Sequence, residues 1–212
     1  MTRLPGPAPA AWSRQRRRRL EGVEANARLT ATTAVVLLVL LAVEGLTILR
    51  IGSLLTLHVF IGMLLVPPVL LKMASTGWRF ARYYLGDPAY RHRGPPALGL
   101  RVLGPAVVVL TVAVLATGIV LLVGPVPWRS TLLELHKATF VLWFGAMGLH
   151  VLGHLADTAR LAPLDLVART RRQVRGAGVR QWLLALSLVI GIGLGVLVVP
   201  EVGSWWHAFR IG

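Results

Sequence analysis

Four of the six histidines, His58, His136, His150 and His154, lie within long apolar stretches. An imidazole can ligate a metal, relay a proton or bond one helix to another. Inside a membrane span an ionisable side chain is expensive, and it points to function. Spacing narrows the choice. His136 and His150 are 14 residues apart, so on a helix they share a face, about 21 Å apart along the axis. His154 follows His150 by one turn on the same face. His58 and His136 each lie about five residues past the start of an apolar stretch. If both stretches run in one direction across a bilayer, the two rings share a depth, roughly 7–8 Å below its edge. Two histidines at one depth on different helices can supply both axial ligands of a haem in a bundle core. Gly62, one turn below His58, leaves room for a flat macrocycle. Gly145 and Gly148 either do the same beside His136 or serve helix packing.

Other chemistry fits less well. Zinc takes three or four protein ligands, and this set has no cysteine and no nearby aspartate. There is no G-x-G-x-x-G, Walker loop, H-E-x-x-H or G-x-S-x-G motif, so no catalytic group is identified. By depth, the position facing His150 is Lys72, a rare haem ligand. A second haem at His150 therefore remains an alternative, and His154 is expected to hydrogen-bond near the inner edge. Glu44 either handles protons at a quinone site or is a satisfied polar residue. His92 and His207 fall outside the spans and are expected in solvent. Glu134 and Lys137 are expected to pair beside His136, and the Gly191–Gly195 run to serve close helix packing.

Five stretches can carry these residues: about Thr30 to Leu49, Ser53 to Ser75, Leu98 to Val123, Thr131 to Leu155 and Gln181 to Val199. Each approaches the roughly 20 apolar residues of a spanning helix. Lipid requires the backbone to satisfy itself within each element, so all five are expected to be helical. Pro67-Pro68 should kink the second and free carbonyls there. Composition agrees. The chain is 55% hydrophobic and only 15% charged, yet carries a formal net charge of +15. A soluble domain of 212 residues has no core large enough for that apolar share, and disorder requires low hydrophobicity. A nucleic-acid-binding protein would be more charged and less apolar. A bilayer with basic loops satisfies both numbers. Nineteen basic residues fall before the first stretch, in the second loop and its flanks or in the fourth loop, against four on the opposite side. The positive-inside rule then makes the N-terminus cytoplasmic and the C-terminus external.

The expected fold is all-α, an integral membrane bundle of five transmembrane helices. Residues 1–28 form a disordered basic arm that touches anionic lipid. Residues 29–157 form a four-helix membrane core. Residues 158–180 form a basic cytoplasmic loop, 181–200 the fifth helix and 201–212 a short external tail, with Trp205 and Trp206 suited to the interface. No nucleic-acid partner is expected.

The stretch Leu57-His58-Val59-Phe60-Ile61-Gly62 resembles the first ligand helix of membrane-bound b-type cytochromes. Leu135-His136-Lys137, with His150-Val151-Leu152-Gly153-His154, resembles the second, with its H-x13-H spacing. Similar patterns occur in small four-helix cytochrome b-like proteins and in the cytochrome b subunits of formate dehydrogenases and nickel-iron hydrogenases. The resemblance rests on two short motifs within about residues 30–157. It implies an electron carrier holding haem b in the cell (inner) membrane, passing electrons between a quinone and a partner oxidoreductase. By that resemblance His58 and His136 hold the outer haem and His150 one side of an inner haem. Lys72 departs from the two-haem pattern and favours one haem. The chain would then be an electron-transfer or anchor subunit of a respiratory oxidoreductase, not a complete enzyme. The competing expectation is a haem-free membrane anchor or assembly protein, and after it a small transporter.

Overall fold

In the computed structural model the backbone is described for residues 9–92 and 98–210, and side chains for 17–92 and 99–203. Five long helices account for most of it: α1 (Pro9–Ile48), α2 (Ile51–Tyr84), α4 (Leu98–Val123), α5 (Arg129–Leu166) and α7 (Ala177–Arg210). Two single-turn helices, α3 (Pro88–Arg91) and α6 (Ala168–Arg171), and a 3-10 turn at Val126–Trp128 lie in the connections. No strand occurs among the described residues. All five long helices are long and apolar enough to cross a membrane. The bundle is thus a multi-pass fold, and lipid explains why so many Leu, Val and Phe side chains face outward.

Four of the five helices overrun the expected spans: α1, α2 and α5 mainly toward the arginine-rich end, and α7 mainly toward the opposite one. α2 continues without a break through Pro67-Pro68 to Tyr84, and the expected freed carbonyls do not end it. The basic arm expected to be disordered over 1–28 is helical from Pro9, and residues 1–8 lie outside the described residues. The expected loop 158–180 is also largely helical, because α5 runs to Leu166 and α7 begins at Ala177. α7 absorbs the expected tail up to Arg210, where the side chains of Trp205, Trp206 and His207 lie outside those described.

Buried charge explains why the arginine-rich end holds its shape. Arg180 donates from Nε and Nη2 (2.7 Å) to the two oxygens of Asp165, and both residues are buried. Arg28 approaches the same carboxylate at 3.6 Å, pairs with Glu24 at 3.1 Å and donates to the Thr170 carbonyl at 3.2 Å. This cluster ties α1, α5 and α7 together. Two positive-φ glycines turn the chain at this end: Gly86 (φ 87°) after α2 and Gly176 (φ 78°) before α7.

Packing is uneven across the bundle. α2 packs extensively on α7 and on α1, while α5 packs on α4 and on α1. α2 and α5 do not pack closely on one another. Leu37 of α1 with Ile61 and Leu65 of α2 forms one buried cluster. Leu122 of α4 with Val202 of α7, backed by Leu55 and Val59 of α2, forms another at the far end. The glycine run of α7 presses on α2 as its small residues suggest. A Cβ at Gly191 would lie 2.5 Å from the Leu64 carbonyl oxygen, and one at Gly195 2.6 Å from the Phe60 ring.

Candidate functional site

The separation between α2 and α5 is bridged by two imidazoles. The ring centres of His58 and His136 are 6.4 Å apart, with planes at 73°. The matched depth read from the sequence thus becomes a direct pairing. Each ring is held from behind through Nδ1. His58 Nδ1 lies 3.0 Å from Thr47 Oγ1 and 3.0 Å from Glu44 Oε1, both on α1. His136 Nδ1 lies 3.1 Å from Thr117 Oγ1 on α4.

These partners assign the tautomer. Thr47 Oγ1 donates its one proton to the Glu44 carbonyl at 2.6 Å, and Thr117 Oγ1 donates its own to the Ala113 carbonyl at 2.7 Å. A hydroxyl has a single proton, so both threonines accept from the imidazoles. Nδ1 of His58, which also faces the Glu44 carboxylate, is then protonated and its Nε2 keeps a lone pair, while the His136 ring has the Val114 carbonyl as a further partner. A ligating histidine is oriented and made more basic in this way, by donating its second ring nitrogen to a neighbour.

Distance tests what the pair can hold. A metal bound between two opposed imidazoles, with bonds of about 2.0–2.1 Å and about 1.2 Å from nitrogen to ring centre, separates the centres by about 6.4 Å. The ring centres of His58 and His136 have that spacing, in an edge-to-face arrangement. His150 and His154 are different. Their centres are 4.7 Å apart on one helix, too close to hold an ion between them. Among the described residues no group of three or more His, Cys, Asp or Glu side chains could hold a metal ion.

Several side chains around the pair differ from expectation. A Cβ at Gly62 would stand 3.5 Å from Glu44 Oε1, an ordinary contact distance. Glu44 itself sits on His58, and its Oε2 is buried with no hydrogen-bond partner. Gly118 is the glycine that abuts one of the paired imidazoles: a Cβ there would come within 3.1 Å of His136 Cε1. Thr47, Thr117 and Gly118 were not singled out from sequence. The Thr117-Gly118 dipeptide, polar and small inside an apolar run, was the available signal. Gly145 and Gly148 face open space. Glu134 and Lys137 pair at 2.8 Å on the exposed surface, as expected.

The inner position is built otherwise. Lys72 Nζ donates to the Thr30 carbonyl of α1 at 2.9 Å. It lies close enough to His150 and His154 to act on both electrostatically. His150 Nδ1 is buried without a hydrogen-bond partner. Unlike His58 and His136, His150 thus has neither an opposed imidazole nor a neighbour to fix its tautomer. His92 is exposed.

No family model matches the sequence, and neither the curated proteins nor the solved structures yield a match.

Proposed function

We propose that this chain holds one haem b between His58 and His136 and carries electrons within the membrane. The observation that supports this reading most is the 6.4 Å spacing of two imidazoles that both spend Nδ1 on a neighbour. Haem b, when bound, supplies a one-electron iron couple. His58 and His136 would fill both axial positions, which suits electron transfer and leaves no place for oxygen. Thr47 and Glu44 orient His58, and Thr117 orients His136. The flanking helices limit water at the rings, each of which is part-buried. Arg50, Arg129 and Lys137 gather positive charge at the same end, suited to the haem carboxylates.

The positive-inside rule makes the arginine-rich end cytoplasmic and puts this pair near the outer face of a cell membrane. A quinone, an oxidoreductase subunit on that side, or both would exchange electrons with it. In that role the chain is the membrane subunit of a respiratory oxidoreductase. The His150 region contributes no second haem, since Lys72 is committed to Thr30.

One observation favours a second reading. Each imidazole is already bonded to another helix, His58 to α1 and His136 to α4, as in a haem-free anchor whose histidines join helices. Purification with adequate haem supply separates the two. The first reading expects a b-type reduced-minus-oxidised spectrum that His58→Ala and His136→Ala abolish. The second expects colourless protein.

A further inference from the structure

The arginine-rich end carries a site unrelated to the histidines. After α2, Gly86 turns the chain so that α3 lies against both α1 and α2. The three elements line an open cleft of about 250 Å³. Arg19 and Asn26 line it from α1, Trp78 and Arg82 from α2, and Tyr90 from α3. The cleft has room for a phosphate and its ester carbons.

The lining supplies donors in excess of acceptors. Tyr90 is buried, and its hydroxyl accepts from Trp78 Nε1 at 3.2 Å. The hydroxyl proton remains to donate. The Arg82 guanidinium lies 5.5 Å from the Trp78 ring centre and pairs through Nη2 with Asp87, the one acid of the lining. Its Nε is buried with no partner, and Nη1 has none among the described residues. Arg19 adds a second positive charge, so two guanidiniums face one carboxylate. A single negative charge would balance the site.

Depth identifies the ligand class. From Ile51, the far end of α2, Trp78 lies about 40 Å and Arg82 about 46 Å along the axis. A bilayer with its headgroups spans about 40–45 Å. The cleft therefore opens in the headgroup layer, where Trp78 is exposed as an interfacial aromatic. We propose that this cleft binds a singly charged phosphate ester, the headgroup phosphate of an anionic phospholipid. Arg82 and Tyr90 donate to its oxygens, and Arg19 supplies the second charge.

Calorimetric titration of the full chain in neutral detergent tests this. The probes are dihexanoylphosphatidylglycerol, dihexanoylphosphatidylcholine and inorganic phosphate. The phosphatidylglycerol is expected to bind most tightly, about 10- to 100-fold weaker in Arg82→Gln and about 3- to 10-fold weaker in Tyr90→Phe. If inorganic phosphate alone binds with the same dependence on Arg82 and Tyr90, the phosphate site stands and its source is soluble. Should Arg82→Gln lose helicity because Asp87 is left unpaired, Tyr90→Phe and Arg82→Lys carry the test. Phosphatidylglycerol binding that is absent, or unchanged by Tyr90→Phe and the Arg82 variants, overturns the proposal.

Discussion

Each imidazole has two acceptors, but His58 has a carboxylate among them and His136 only neutral groups, and the difference sets an order of effects. His58 Nδ1 has two acceptors, Thr47 Oγ1 and Glu44 Oε1, each at 3.0 Å. His136 Nδ1 has Thr117 Oγ1 at 3.1 Å. Thr139 reaches Thr117 at 3.2 Å but does not bond the His136 ring. Replacing Thr117 by Val keeps the shape and removes the hydroxyl acceptor, leaving the Val114 backbone carbonyl, which also hydrogen-bonds the His136 ring. Losing one of two neutral acceptors costs about 1 kcal/mol, a loss of about fivefold in haem affinity. Thr47→Val leaves Glu44 in place, so its cost stays below about 1 kcal/mol, or about fivefold. Thr117→Ser restores the hydroxyl and should bind as the wild type. The assay is titration of the apo-protein with haem, followed by absorbance. Thr117→Val binding within twofold of wild type, or Thr47→Val binding more weakly than Thr117→Val, would refute the tautomer argument.

Three further outcomes follow from other parts of the bundle. Asp165→Asn leaves Arg180 and Arg28 buried without their carboxylate and should destabilise by about 3–5 kcal/mol, whereas Glu134→Gln at an exposed pair should cost under about 1 kcal/mol. Denaturation in mixed micelles compares the two. Gly191→Ala would press a methyl onto the Leu64 backbone and should loosen α7 from α2, while Gly193→Ala meets open space and should be silent. Crosslinking between α2 and α7 reports the difference. His150→Ala should keep the full haem complement at one per chain, because His150 has no opposed imidazole; a stoichiometry of two that falls on this substitution would contradict the single-site assignment.

How legible the bundle was depends on how local each cause is. The five spans were readable because lipid forces long apolar runs into helices, and all five appear. The meeting of His58 and His136 was readable because equal offsets from two span starts survive folding as equal depth. The Gly191–Gly195 packing followed from small residues at helical spacing. The rest needed to know which helices are neighbours. Glu44 stood out as an intramembrane acid, but only α1 lying beside α2 brings it onto His58. Asp165 sits in a stretch whose basic composition reads as a loop. It is instead the buried centre of a clasp drawn from Arg28 and Arg180, distant positions with no shared periodicity. The arm before residue 28 was misjudged because its arginines suggest solvent, whereas Val23, Ala27 and Arg28 are buried.

Haem binding here requires His58 and His136 to act together. A reduced-minus-oxidised absorption spectrum of the full chain, purified with adequate haem supply, tests that most directly. The expected result is a sharp low-spin b-type signal at one haem per chain, lost in both His58→Ala and His136→Ala and kept in His150→Ala. Colourless protein, or a spectrum that survives His58→Ala intact, would contradict it.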